Sequence, residues 1–229
     1  MSLDNSQPRF KIMPVDPEWA SKAARRQATL TKPAGSLGEL ETIAVQLAGI
    51  QETATPTVRP GNVLIFASDH PVVDHGVSAY PQEVTTAMVS NMLKGGAASS
   101  VLARQFNIPM AIIDVGVMTP QASPAESDIR LFRSDMAAKG CVGDLAVAKA
   151  MDERTFDAAV LAGIDAVDRL GHCRLLIIGE LGIGNTTVAA AVAAAVLKVP
   201  AEDMVGRGTG LDDKGMIRKI NVVKQALNA

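Results

Sequence analysis

The chain has 229 residues, of which 48% are hydrophobic, 20% charged and 3% aromatic, and its net charge is -2. This length suits one α/β domain with a small appendage, and the core must be built from Ala, Val, Leu and Ile. The near-neutral charge gives no electrostatic reason to expect binding to nucleic acid or to a membrane surface. Cys141 and Cys173 are too few for a disulfide framework. With neither a signal peptide nor a membrane span visible, we expect a soluble, cytoplasmic protein.

Two helices are predicted before any strand, over residues 19–30 and 37–50. The first follows Asp16-Pro17-Glu18, a sequence typical of a helix start because proline and an acid favour the first turn. A polar, proline-bearing linker at 52–61 follows the second helix. We therefore predict a small N-terminal helical piece over residues 1–60 and a separate α/β domain over residues 61–229.

Three apolar runs in the second part are predicted to be buried strands, over residues 63–67, 110–116 and 175–178. The last run shows no alternation, which is typical of a strand buried on both faces. Residues 118–140 are expected to form a loop. Helices are predicted over residues 83–93, 97–106, 152–170 and 211–227. Strands that alternate with helices imply a parallel sheet covered on both faces.

The last predicted strand leads into a glycine-spaced turn, GELGIG at residues 179–184, and then into an Ala/Val helix that is long enough to be buried. Asn185 or Thr186 is expected to cap this helix. Strand, glycine turn and helix N-terminus together bind phosphate in many proteins, because amide groups and the helix dipole meet the anion. Such turns also occur without a ligand, and spacing alone does not decide. The turn lacks the lysine of a P-loop, and the Glu180 carboxylate suggests a second role.

Polar residues follow the first strand at the sheet edge where ligands bind in open α/β folds. His70 is a candidate ligand or base there, with tying down the loop as the alternative. Asp69, His70, Asp74 and His75 match no recognised zinc spacing, so no metal site is predicted. Tyr80 is a candidate stacking wall for an aromatic ring, and packing against its own loop is the alternative.

Five segments, in this order, closely resemble the nicotinate-nucleotide–dimethylbenzimidazole phosphoribosyltransferases, enzymes of cobalamin nucleotide-loop assembly. They are KPAGSLGELE (32–41), DHPVVDHGVSAYPQEVT (69–85), IDVGV (113–117), GELGIGNTT (179–187) and VGRGTGLDD (205–213). The resemblance runs from about residue 20 to the end. It implies that a benzimidazole nitrogen attacks C1′ of nicotinate mononucleotide with inversion, giving nicotinate and α-ribazole 5′-phosphate. No cofactor is implied, and a homodimer is expected.

The resemblance also implies which residues form the site. The 5′-phosphate would be bound by Gly182, Ile183, Gly184, Asn185, Thr186, Gly208 and Lys219. The aromatic-base pocket would be lined by Ser78, Tyr80, Met88 and Leu181. Some members of the family have Ser and Gln where this chain has Tyr80 and Met88. The pocket is therefore expected to be more apolar, which leaves the preferred base open.

Glu180 keeps the family's carboxylate in the first turn, where an auxiliary catalytic role is implied. The glutamate taken as the catalytic base belongs to a late glycine-rich segment that this sequence does not contain. We therefore expect a C-terminally truncated transferase with little activity of its own. Its fold would be a Rossmann-like parallel sheet with helices on both faces, with the sheet incomplete. The alternative is a non-catalytic phosphate- or nucleotide-binding short paralogue or fragment. An oxidoreductase is disfavoured, because GxGxxG followed by an acidic residue is missing.

Overall fold

In a computed structural model, which describes residues 13–119, 122–134 and 143–229, the chain divides into two compact units. The boundary lies between Arg59 and Pro60. Cys141, one of the two cysteines, lies outside the described residues. None of the helices within the described ranges is both long and apolar enough to cross a membrane.

The first unit contains two helices, α1 (Pro17–Thr29) and α2 (Glu39–Gln51). The Asp16 side chain accepts a hydrogen bond of 2.8 Å from the Glu18 amide and caps α1, at the helix start that the sequence predicts. α2 packs closely on the start of α1, since a Cβ at Gly49 would lie 2.6 Å from Val15 Cγ1. Both predicted helices are confirmed, with ends that agree within two residues.

The second unit contains a four-stranded parallel sheet with the strand order β3-β2-β1-β4. The strands are β1 (Gly61–Ser68), β2 (Met110–Gly116), β3 (Arg130–Arg133) and β4 (Leu175–Leu181). The predicted parallel α/β fold is confirmed. The prediction of a loop over 118–140 is wrong at β3. That strand has only four residues, with an arginine at each end, so it has no long apolar run to reveal it.

Helices cover both faces of the sheet. They are α3, α4 and α5, over Glu83–Leu93, Ala98–Gln105 and Glu153–Asp168. Successive side chains of β1 point to opposite faces: Val63 joins the core formed with α3 and α4, whereas Leu64 joins the core formed with α5. The three helices were predicted from the sequence, and their ends agree within two residues.

β4 is the outer strand on its side of the sheet, and its side chains are less buried than predicted. Ile177 is 40% exposed and Ile178 is 68% exposed. Within the described part of the chain β4 pairs only with β1, so burial on both faces is a wrong prediction here. An apolar run shows that a strand is suited to burial, but the position of the strand in the sheet decides whether other elements cover it.

The helix after the glycine turn is α6 (Asn185–Leu197), followed by the short α7 (Ala201–Met204) and by α8 (Asp213–Asn228). α6 is buried on one side only, where Ala190 and Ala191 pack against residues from α7 and α8. Val196, on the other side, is 73% exposed, so the expectation of a fully buried helix is wrong. The four-residue α7 is absent from the predicted elements.

The start of α6 also differs from its prediction. Gly184 occupies the N-cap position with φ +97°, and no side chain caps the helix. The side chain of Asn185 is bonded instead to Glu180, and that of Thr186 to Lys219, so capping by either residue is a wrong prediction. β4 continues to Leu181, which shortens the turn to residues 182–184.

Candidate active site

A cavity of about 280 Å³ lies at the carboxyl end of β4, where ligands bind in open α/β sheets. Its walls come from the loop before α3, from α3, from the β4–α6 turn and from the glycine-rich turn before α8. The lining residues are Val77, Ser78, Val84, Thr85, Met88, Glu180, Leu181, Gly182, Ile183, Gly184, Asn185, Thr186, Gly208 and Thr209. All of the predicted site residues line this cavity, with the exception of Tyr80 and Lys219.

The glycines of the β4–α6 turn allow the backbone to pack against the end of β1. A Cβ at Gly182 would overlap the carbonyl oxygen of Ser68. Gly184 has φ +97°, and a side chain there would meet Val73 Cγ2 at 3.0 Å and His70 Cβ at 3.3 Å. Added bulk at Gly184 would therefore strain the turn against the protein rather than fill the cavity.

The amides of this turn are not all available to a ligand. The Ile183 amide donates to Thr85 Oγ1 at 3.0 Å, and the Asn185 amide donates to the Gly182 carbonyl at 3.2 Å. The predicted cradle of five consecutive residues is thus partly committed to the fold. The positive end of the α6 dipole still faces the cavity.

Lys219 reaches the start of α6 from α8 in the same chain. Its side chain is completely buried, and Nζ donates to Thr186 Oγ1 at 2.8 Å and to the Gly206 carbonyl at 3.1 Å. No carboxylate among the described residues forms an ion pair with it. Removal from water lowers the pKa of Lys219 from its ordinary value of 10.5. A buried cation beside a helix N-terminus leaves an excess of positive charge, which an anionic ligand would neutralise.

Glu180 is the only carboxylate among the described residues that line the cavity. It lies near the end of β4, exposed to solvent, and its Oε2 accepts a hydrogen bond from Asn185 Nδ2. The first residue of α6 thereby fixes one carboxylate oxygen. The negative Glu180 carboxylate is thus held at the edge of a cavity that also faces the positive N-terminal end of α6, with the Lys219 ammonium close behind.

The apolar part of the cavity wall includes Val77, Val84, Met88 and Leu181. Tyr80 lies outside the lining, with 54% of its surface exposed. Hydrogen bonds join the neighbouring loops, since Ser78 Oγ lies 3.0 Å from Thr209 Oγ1 and the Ala79 amide donates to the same oxygen at 2.9 Å. The second glycine turn is therefore fastened to the loop that carries Tyr80.

The polar residues at the end of β1 connect loops. Asp69 is buried, and its carboxylate accepts hydrogen bonds from Gln82 Nε2 and, at 2.7 Å, from the Met118 amide. Burial lowers the pKa of His70, although Asn185, Asp69 and Glu180 oppose this effect, and the neutral imidazole is favoured. His75 pairs with Asp144 at 2.6 Å. No group of three or more potential metal ligands occurs among the described residues.

Several lining residues were missed at the level of sequence, above all Thr85 and Thr209. Both lie inside segments that carry the family resemblance, but neither has a spacing or charge that marks it. Thr85 meets Ile183 across 98 positions of sequence, and such a partner is invisible without the fold.

A family model described as phosphoribosyltransferase matches residues 12–229. The chain belongs to this family. It is 44% identical over 222 residues to the nicotinate-nucleotide–dimethylbenzimidazole phosphoribosyltransferase of Pseudomonas putida KT2440, covering 96% of this chain and 61% of that protein. It is 43% identical over 220 residues to the protein of the same name from Chloroflexus aurantiacus J-10-fl, covering 95% and 61%. The resemblance drawn from the five segments is confirmed.

The family fold is also seen in a solved structure, the crystal structure of CobT from Thermus thermophilus. That chain is 42% identical and superposes with a TM-score of 0.81, covering 93% of this chain and 62% of that one. The chain spans about three fifths of the length of the curated relatives it matches.

The buried ammonium of Lys219 predicts a particular pH dependence of stability. Because its folded-state pKa lies below 10.5, the unfolded state binds more protons between these two values. The free energy of unfolding therefore gains a contribution as pH rises through that window. Lys219→Met removes this contribution, so the stability of the variant relative to wild type should fall as pH rises towards 10.5.

Chemical denaturation at several pH values measures the effect. Lys214→Met on the same helix is the matched control, because Lys214 is exposed. Parallel pH profiles for wild type and Lys219→Met would contradict the prediction.

Proposed function

We propose that this protein transfers the phosphoribosyl group of nicotinate mononucleotide to 5,6-dimethylbenzimidazole or a related aromatic base. The observation that carries the proposal is the buried Lys219 ammonium, without a carboxylate partner among the described residues, beside a glycine turn and a helix N-terminus. Relatives that carry the transferase name are 43–44% identical to the chain. The chain spans 61% of the length of these relatives.

The 5′-phosphate is proposed to bind in front of α6. The helix dipole and the amides that are not used inside the turn favour the anion, and Lys219 supplies a full positive charge at 2.8 Å from Thr186 Oγ1. The phosphate would also stabilise Lys219, because an adjacent negative charge favours the protonated ammonium. Gly208 packs directly against the ammonium, since a Cβ at this position would lie only 3.0 Å from Lys219 Nζ.

In the proposed reaction, the lone pair of a benzimidazole nitrogen forms a bond to C1′ of the ribosyl group. The bond from C1′ to the nicotinate nitrogen breaks, and its electron pair returns to that nitrogen. The leaving ring becomes neutral at nitrogen, so no general acid is required. The N–H proton of the incoming base must leave, and attack from the opposite side gives the α anomer. The cation-like sugar is best stabilised by a nearby negative charge.

Glu180 is proposed to supply that charge. It is the only carboxylate among the described lining residues, and Asn185 orients it. It also lies where it could accept the proton of the aromatic base. Its role is auxiliary in this proposal, because the family resemblance implies a main catalytic base outside these 229 residues.

The test of the proposed function is the affinity for nicotinate mononucleotide, measured by calorimetry. Lys219→Met should weaken binding about tenfold or more, which corresponds to about 1.4 kcal/mol. The exposed control Lys214→Met should bind like wild type. For nicotinate riboside, which lacks the phosphate, the affinities of Lys219→Met and of wild type should differ far less. Equal affinity of wild type and Lys219→Met for the mononucleotide would contradict the phosphate site.

Product formation completes this test. Chromatography should detect α-ribazole 5′-phosphate only slowly with the 229-residue chain, since general-base assistance is worth about 10²–10⁴-fold. Glu180→Gln should lower the residual rate further. A rate that survives this change would remove Glu180 from the mechanism.

The apolar wall predicts how the aromatic base is selected. Met88 lines the cavity whereas Tyr80 does not, so Met88→Gln should change the preference among aromatic bases by about 1–3 kcal/mol. Tyr80→Ser should have the smaller effect. Competition between benzimidazoles and phenols, in a form of the enzyme that turns over, measures the ratio of kcat/KM values. A larger effect from Tyr80→Ser would place the base elsewhere.

We also propose that the protein forms a homodimer. β4 and α6 expose large apolar side chains, with Ile178 at 68% and Val196 at 73%, and such surfaces commonly mark interaction sites. Light scattering should show a dimer, and Ile178→Asp combined with Val196→Asp should shift it towards monomer. Ile217→Asp is the control, because Ile217 lies on α8 and is also exposed, at 61%. A wild-type monomer at high concentration would refute the proposal.

We also propose a cytoplasmic location, because the chain has only two cysteines, too few for a disulfide framework, and Cys173 is a free thiol. Cell fractionation tests this location, and recovery outside the cytoplasm would contradict it.

A further inference from the structure

The glycine turn is fastened on its cavity side by one side chain of α3. Thr85 is almost completely buried and lines the cavity, and its Oγ1 accepts the hydrogen bond of 3.0 Å from the Ile183 amide. The two residues are 98 positions apart in sequence. This single contact therefore joins the helix that carries Met88 to the turn that leads into α6.

Thr85 is itself held by a line of hydrogen bonds. Gln82 Nε2 approaches Thr85 Oγ1 at 3.4 Å and donates to Asp69, whose other oxygen accepts from the Met118 amide at 2.7 Å. The line connects the loop after β2, the end of β1, the first turn of α3 and the glycine turn. Thr85 Oγ1, the acceptor for the Ile183 amide, is thus held in place by hydrogen bonds that begin at Asp69, at the end of the central strand β1.

The turn cannot easily find another arrangement. Ile183 is buried, and a buried amide without an acceptor is strongly unfavourable. Gly182 already packs so closely on the end of β1 that a Cβ would overlap the Ser68 carbonyl oxygen. Loss of the Thr85 hydroxyl would therefore leave the Ile183 amide without its acceptor, and residues 182–184 would have to shift before this amide could find another one.

We infer that Thr85 is a positioning residue, which sets the affinity for the substrate phosphate by holding the Ile183 amide and thereby the start of α6. The next residues along the chain are those that meet Lys219, since Thr186 Oγ1 accepts its hydrogen bond. A small displacement of the turn changes the direction of the remaining amides and of Thr186 together. The inference rests on the proposed function only for the identity of the ligand.

The experiment compares Thr85→Val, which has the same shape but no hydroxyl, with Thr85→Ser, which keeps the acceptor. Thr86→Val is the matched control, because it makes the same chemical change one residue along α3, outside the cavity lining. Two quantities are measured on the full chain: hydrogen exchange of the Ile183 amide by NMR, and calorimetric affinity for nicotinate mononucleotide. Circular dichroism establishes that each variant is folded.

We expect Thr85→Val to speed exchange of the Ile183 amide at least about tenfold and to weaken mononucleotide binding by about tenfold, with the remaining amides of β4 still protected. Thr85→Ser should restore both quantities, and Thr86→Val should change neither. Unchanged exchange in Thr85→Val would overturn the inference, and so would faster exchange with unchanged affinity.

Failure of the proposed function gives a different result. If the wild-type chain does not bind nicotinate mononucleotide, the substrate assignment is refuted. The exchange of the Ile183 amide then still decides whether Thr85 holds the turn. If Thr85→Val does not fold, Thr85→Ala provides the same two measurements, with the hydroxyl removed and less bulk to accommodate.

Discussion

The site depends on one costly arrangement, a lysine ammonium buried at the beginning of a helix. Among the described residues, Lys219 has only neutral hydrogen-bond acceptors, the Thr186 hydroxyl and the Gly206 carbonyl, and the N-terminal end of the α6 dipole beside it is also positive. Burial of a charge without a counter-charge opposes folding. A bound anion would supply the missing charge, and a phosphate monoester is such an anion. The two glycine turns and α8 are arranged around this ammonium.

Much of the fold follows from local sequence signals. Asp16 and Asp152 cap α1 and α5 with their side chains, and the predicted ends of α1 to α5 and of α8 agree with the structure within two residues. The sequence failed where neighbours in space decide the outcome. β3 was missed because a four-residue outer strand between arginines carries little apolar signal. β4 was expected to be buried because its residues are apolar, yet it is the outer strand in the described part of the chain.

Sequence motifs and resemblance singled out the turn around Gly182, the carboxylate of Glu180 and the lysine of α8. Of these, Gly182 and Glu180 line the cavity, and Lys219 lies behind the lining; their roles in a site stay predictions. Contacts between distant segments were not predictable. Thr85 looks like an ordinary helix residue, and Asp69, a potential metal ligand by composition, is committed to Gln82 and Met118. For Tyr80 the motif was misleading: it predicted that Tyr80 lines the aromatic-base pocket, but Tyr80 is not among the residues that line the cavity.

We propose that the β4–α6 turn and Lys219 form a phosphate site, and a crystal structure of the chain with nicotinate mononucleotide bound is the decisive test. We expect a phosphate oxygen about 2.7–2.9 Å from Lys219 Nζ, with other oxygens facing the start of α6 and the aromatic ring towards Met88. A mononucleotide bound with its phosphate away from Lys219, or at a different edge of the sheet, would contradict this proposal.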